Sequence, residues 1–227
     1  MSRGQIGLVC EGITDHIALK ELLPAAINEL RSGDFIDIQP NPDRTAVGAD
    51  PDGGWTKVLK WCLSNPPILR RQLYIGGGLF EVEDNSCGIY AIIVQIDSDI
   101  CERSDFQNKS HVDPSKFDLG DPSGRGEYVR RSLHEWLWPD GNVDDDLSWT
   151  IVSSAVESVE SWLVAGLLPN KNPETIRNPA ACLKIRNKTK NKYIKLARRA
   201  APNVERIVER CKSFSTLVER CAEIVTA

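Results

Sequence analysis

Several things are scarce or absent in this 227-residue chain, and each absence closes off a class of protein. No apolar run approaches the roughly 18 residues of a membrane span, and the N-terminus has no signal-peptide pattern, so the expectation is a cytoplasmic protein with no membrane association. The seven cysteines (Cys10, Cys62, Cys87, Cys101, Cys182, Cys211, Cys221) are odd in number and widely spaced, with no C-x-x-C. That excludes a disulfide framework and a cysteine zinc site and leaves buried thiols. Gly76-Gly77-Gly78 is followed by no Gly-Lys-Ser/Thr, so it is a turn and not a phosphate loop. No zinc finger, RNP-like aromatic motif, internal repeat or low-complexity tract is present. The three histidines are isolated: His16 reads as a surface helix residue, His134 lies in a helix, and His111, in a polar stretch, is a minor catalytic candidate. No serine or cysteine has a base beside it in sequence, which weakens a nucleophile reading.

What is present is an ordinary globular composition, 41% apolar and 26% charged, enough for a sizeable core. The net charge of −4 is unevenly spread: Arg177 to Lys212 holds twelve Lys/Arg against two Glu, while Met1 to Glu174 holds fifteen against twenty-eight acids. An acidic body with a basic C-terminal segment suits a metal site beside a polyanion-binding surface; a solvated basic helix face paired with the acidic body is the bland alternative.

Hydrophobic periodicity predicts a strand over 5–10, a helix over 14–30 that Pro24 kinks or splits, and a strand over 35–39. A Gly/Pro/Asp-rich loop fills 40–54. A helix over 55–63 closes at Asn65-Pro66-Pro67. Residues 89–96 form the strongest strand, continuously apolar and β-branched, as a strand covered on both faces must be. A polar, irregular insertion over 101–126 precedes a helix over 128–138 and a Gly/Asp turn over 140–146. A strand over 149–154 then runs into a helix over 156–167. After a break at 169–173 the remainder is helical, interrupted at Pro202-Asn203. Alternation of this kind predicts an α/β fold, a mostly parallel sheet with helices on both faces and a C-terminal helical appendage. The domain division is a catalytic domain over 1–168 and a basic helical segment over 169–227 packed on it.

Three acidic stations fall at strand ends, where open α/β sheets place their sites. Glu11 follows the first strand, Asp97-Ser98-Asp99 ends the strongest one, and Glu157 and Glu160 follow the last. Residues i and i+2 of an extended segment point the same way, so Asp97 and Asp99 would converge and repel unless a divalent cation lay between them. Glu157 and Glu160, three apart, would share a helix face. Asp15 suits an N-terminal cap and is also a possible ligand of a second metal. Such a cluster suits Mg²⁺ or Mn²⁺ and phosphoryl chemistry. A D-x-D phosphatase with Asp97 as nucleophile, and a non-catalytic partner-binding module with a structural metal pocket, are the rival readings. The basic segment supplies Lys184, Arg186, Lys188, Lys190, Lys192, Lys195, Arg198 and Arg199 for a nucleic-acid backbone, with Lys190, Lys192 and Lys195 as candidates to stabilise charge on a scissile phosphate.

Three motifs together resemble a known family. Val9-Cys10-Glu11-Gly12-Ile13-Thr14-Asp15 resembles the E-G-x-T-E/D motif of Toprim domains, and Ile93 to Asp99 resembles their strand and D-x-D. Ser158-Val159-Glu160-Ser161-Trp162-Leu163 and Tyr193-Ile194-Lys195 resemble segments of the small standalone Toprim proteins related to OLD-family nucleases. The resemblance implies a Toprim-like fold and metal-dependent cleavage of DNA or RNA, of the kind found in antiviral-defence effectors. An ATPase or sensor protein as partner and a homodimeric assembly go with it. It implies Glu11 as acid/base or metal carboxylate, Asp97, Asp99 and Glu160 as metal ligands, Asp15 as a second-metal ligand, and Glu157 as a competitor of Glu160. The chain departs from the topoisomerase and primase pattern after D-x-D, where it reads Ile100-Cys101-Glu102, and the gap from Glu11 to Asp97 is long for a minimal domain.

Overall fold

A computed structural model describes residues 4–39, 54–75, 88–141, 148–169, 171–185 and 189–226. Four strands form one sheet: β1 (Gln5–Val9), β2 (Phe35–Gln39), β3 (Ile89–Asp97) and β4 (Thr150–Ala155), in the order β2-β1-β3-β4. All three pairings are parallel, with Leu8 opposite Asp37 and Ile93, and Asp97 opposite Ala155. The α/β architecture expected from the alternating pattern is therefore the architecture observed. The chain leaves β1 toward β2 on one side and returns past it to β3 on the other. The crevice between the ends of β1 and β3 is thus the point where the winding reverses, the place such sheets use for ligands.

The helices among the described residues are α1 (Ile13–Ala26), α2 (Trp55–Ser64), α3 (Pro67–Tyr74), α4 (Ser104–Gln107), α5 (Pro122–Leu137), α6 (Glu160–Leu167), α7 (Pro179–Cys182), α8 (Lys190–Ala200), α9 (Val204–Arg210) and α10 (Lys212–Thr226). Alternating side chains of each strand go to opposite faces. Ile6, Leu8, Ala91, Ile93 and Ile151 pack with Leu19 and Leu22 of α1, Trp162 of α6, Tyr193 and Ala197 of α8, and Phe214 and Leu217 of α10. Val9, Ile92, Val94 and Ile96 pack on the other face with Trp55, Val58 and Trp61 of α2 and Tyr128, Leu133 and Trp136 of α5. On that face Phe106 sits edge-on to both Trp55 and Trp136, with ring centroids 5.3 and 5.5 Å apart. Each such pair contributes about 0.5–1.5 kcal/mol beyond its burial and fixes where α2 begins.

Several boundaries differ from the sequence expectation. Helix α1 ends at Ala26 and not at Leu30, and Pro24 lies in its last turn without splitting it. Pro66-Pro67 ends α2 but also opens α3, because a proline suits the first turn, where an amide has no intrahelical acceptor. The stretch 101–126 is not wholly irregular: it holds α4, a 3-10 turn at Pro114–Lys116 and the start of α5, capped by Asp121, whose carboxylate accepts from Ser123 and Gly124 amides at 2.8 and 3.2 Å. The break at Pro202-Asn203 is a 3-10 turn between α8 and α9. The six described cysteines are all free thiols, five of them buried. No helix among the described residues is long and apolar enough to cross a membrane. The predicted loop 40–53, the Gly76–Gly78 turn, most of the 140–146 turn, and Cys87 lie outside the described residues.

Candidate metal centre

Strand β1 delivers the turn Cys10-Glu11-Gly12 to the crevice beside β3. Glu11 Oε1 accepts the backbone N–H of Asp97 at 2.8 Å, bridging the two strand ends. Helix α2 starts directly above it. Gly54 has φ +76°, and a Cβ there would lie 3.1 Å from Glu11 Oε2. The Trp55 amide donates to the same carboxylate. Asp15, in the first turn of α1, accepts from the Gly12 amide at 3.0 Å and from the Thr14 hydroxyl at 3.3 Å. It therefore caps its helix while belonging to the acidic cluster.

Asp97, half-buried at the end of β3, accepts through Oδ1 from Gln95 Nε2 at 2.8 Å and from the Val159 amide at 3.2 Å. Glu160, 1% exposed in the first turn of α6, accepts from the Tyr193 hydroxyl of α8. These donors, backbone amides together with Thr14, Gln95 and Tyr193, are neutral. Burial pushes Glu11 up to about 8, with the Asp15 and Asp99 charges adding to it and the Asp97 and Trp55 amides opposing. Burial likewise pushes Asp15 to about 6, aided by Glu160 and opposed by the Gly12 amide. Asp97 is raised well above the carboxylate range by burial and then by Asp15, Glu11, Glu160 and Asp99. Four carboxylates from β1, α1, β3 and α6 thus act on one another.

Asp99 does not extend the strand. The chain turns at Asp97 into a 3-10 turn, Ser98–Ile100, which leaves Asp99 exposed on the rim, where its charge still acts on Glu11 and Asp97. Glu157 and Glu160 do not share a helix face, because α6 begins only at Glu160 and Glu157 sits before it with φ +62°. Glu157 is buried against Arg125, with Arg177 Nη1 at 3.9 Å, and its backbone accepts from the Asp99 amide at 3.0 Å and donates to Ser98 Oγ at 2.8 Å. It fastens the D-x-D turn from behind, while the Glu160 charge acts on Asp15 and Asp97.

The basic candidates are divided. Arg186 and Lys188 lie outside the described residues. Lys184, with φ +54°, Lys190, Lys195 and Arg199 are exposed. Lys192 Nζ donates to the Lys184 carbonyl at 3.0 Å, and Arg198 pairs with Glu21 at 3.0 Å, so these two help seat α8. His16 is not on the surface: it is buried, with Nδ1 2.5 Å from Asp37 and Nε2 2.9 Å from the Gln39 carbonyl. Lys20 reaches the same Asp37 oxygen at 2.6 Å. Burial acts to raise Asp37, but the His16 and Lys20 contacts outweigh it and bring it down to about 2. This network ties the end of β2 to α1 behind Asp15. Sequence reasoning missed Gln95, a polar residue inside an apolar strand, which was the signal available for it. It also missed Arg125, and it placed Tyr193 within a motif without giving it a role, because the positions of both depend on how distant helices pack.

Among the described residues no three His, Cys, Asp or Glu side chains stand together at ligand distance of one ion. The donor set nonetheless has the chemistry of a hard divalent cation site: only carboxylate oxygens, half-buried or buried, with Glu11, Asp15 and Asp97 raised in proton affinity where a cation would lower it. No protein-family profile, curated protein or solved structure matches the chain.

Proposed function

We propose that the chain is a divalent-metal-dependent phosphodiesterase acting on nucleic acid, a Toprim-type nuclease of cytoplasmic defence. The observation that carries this reading is a cluster at the reversal point of a parallel sheet, Glu11, Asp15, Asp97 and Glu160, whose charges act on one another and which neutral donors hold. Like charges gathered out of water are costly, and a cation is the ordinary compensation. Asp97, Glu160 and Asp15 would hold Mg²⁺ or Mn²⁺, with Asp99 at the rim. The bound ion supplies Lewis-acid activation of a phosphoryl oxygen and of water. Glu11, pushed up to about 8 by burial, exchanges a proton close to neutral pH and is the acid/base. Gly54 and Trp55 limit its movement from above. The exposed Lys190, Lys195 and Arg199 of α8 provide point charges for a phosphate backbone without reading bases.

The test is incubation with plasmid, single-stranded DNA and tRNA in Mg²⁺, Mn²⁺ or EDTA. Cleavage that needs metal and is lost in Glu11→Gln and Asp97→Asn supports the reading. A folded protein that cuts none of them, or that cuts equally well in both variants, ends it. Changing Lys190, Lys195 and Arg199 to Gln should weaken binding of all sequences alike and lower the salt slope by about 0.9 for each phosphate that the variant no longer neutralises.

A further inference from the structure

We propose that Tyr193 is a positioning residue that joins the carboxylate pocket to the basic helix α8, so that a cation in the pocket and the seating of α8 stabilise each other. This rests on the metal-pocket reading and concerns a residue to which that reading assigns no part.

The argument starts from the pattern of α8. Tyr193, Leu196, Ala197 and Ala200 recur at helical spacing and are all buried, which turns Lys190, Lys195, Arg198 and Arg199 outward. Among those four buried residues only Tyr193 carries a polar group. Its hydroxyl meets the Glu160 carboxylate, and both side chains are out of water. A buried carboxylate takes the orientation its donors impose, so Tyr193 selects which Glu160 oxygen is turned toward Asp15 and Asp97.

The helix has little slack to absorb a movement at that bond. One end is held where Lys192 Nζ reaches the Lys184 carbonyl at 3.0 Å. Past the middle, Arg198 pairs with Glu21 of α1 at 3.0 Å. At its end Ala200 lies against Gly166 of α6, where an added Cβ would come within 3.0 Å of the Ala200 Cβ and 3.2 Å of its backbone. Helices α6 and α8 therefore approach backbone to backbone, and a shift of Glu160 at the start of α6 is passed to α8 through Tyr193. Linkage is reciprocal: whatever free energy the cation adds to the seating of α8, that seating adds to cation affinity.

The experiment uses the full chain with Mn²⁺ alone, read as free-ion signal by electron paramagnetic resonance, together with amide hydrogen exchange with and without Mn²⁺. Tyr193→Phe should bind Mn²⁺ about tenfold more weakly, the loss typical of removing a hydrogen-bond partner of a metal ligand. In the wild type, Mn²⁺ should slow exchange at Leu196 and Ala197 by a larger factor than at α5 on the opposite face, and this excess should vanish in Tyr193→Phe. Equal Mn²⁺ affinities in the two proteins, or exchange in α8 that responds no more than α5, overturns the proposal while leaving the metal pocket standing. No Mn²⁺ binding by the wild type removes both. If Tyr193→Phe does not fold, the comparison of α8 with α5 in the wild type decides alone.

Discussion

Glu11 and Asp15 bind protons more tightly in the folded chain than in the unfolded one, Glu11 moving from 4.5 to about 8 and Asp15 from 3.8 to about 6. Where the folded state holds the extra proton, stability falls as pH rises. The metal-free protein should therefore lose melting temperature between about pH 4.5 and 8, measured by calorimetry in EDTA. Asp37 has the opposite sign, but its contribution is lost only as pH falls toward about 2, outside that window. Protons and cation compete for the same oxygens, so Mn²⁺ should raise the melting temperature more at pH 8 than at pH 5. A metal-free melting temperature that climbs across this range would count against the buried cluster. Asp97→Asn gives a second expectation. An asparagine Oδ1 still accepts from Gln95 and Val159, while one ionisable carboxyl is removed from a cluster of like groups. The variant should be about 1–2 kcal/mol more stable in EDTA by urea denaturation, yet gain nothing from Mn²⁺ and cut no substrate, as expected where a site trades stability for function. At this scale Glu11 and Asp97 were legible because each ends an apolar run. The choice between Glu157 and Glu160 was not, because it turns on a left-handed residue at 157 and on a partner, Arg125, thirty-two positions away.

The elements show what the pattern of apolar residues can and cannot say. Strand β3 was readable almost to the residue, since burial on both faces demands a continuous apolar run. Helix α3 was not, because a Pro-Pro pair reads as a stop and serves here as a stop and a start. The first turn of α5 was hidden by Gly124 and Gly126, poor helix formers that packing requires. A Cβ on Gly124 would fall 2.1 Å from the Asp118 carbonyl oxygen. That turn matters because Arg125 lies in it. The guanidinium is buried, donates through Nη1 to the Leu119 and Gly120 carbonyls at 3.2 Å each, and pairs with Glu157. The pair clips α5 to the segment that holds Ser98 and Asp99. Removing one partner strands the other charge, so Arg125→Ala should cost about 3–5 kcal/mol in urea denaturation. An Arg125→Met, Glu157→Gln double variant should cost clearly less than the sum of the two single changes. Strict additivity would show that the pair is not coupled.

For the whole molecule, the division into a catalytic part over 1–168 and a basic part over 169–227 describes charge better than it describes packing. Tyr193, Ala197, Phe214, Leu217 and Cys221 lie in the same core as Leu8, Leu22, Ile93 and Trp162. Glu174 also accepts from the Ser213 amide and hydroxyl, at 3.1 and 2.7 Å, pinning the start of α10. A chain ending at residue 168 should therefore lack a cooperative melting transition and bind a hydrophobic dye, where an independent catalytic domain would melt sharply. Composition revealed the basic segment but not that its helices complete one face of the sheet, because the apolar stripes of α8 and α10 reveal their partners only once the strands are in place.

The position of β1 sets a further condition, in time. The earliest of the four described strands in chain order is an interior strand, and Gln5–Val9 must wait for Ile89–Val94 before its second edge is covered. At synthesis rates of about 5–20 residues per second that interval is on the order of 4–17 seconds. Until then Ile6, Leu8 and Val9, all buried in the folded chain, lack the β3 pairing that covers that edge. Pairings this distant along the chain also place spontaneous refolding toward the millisecond-to-second range and not the microsecond one.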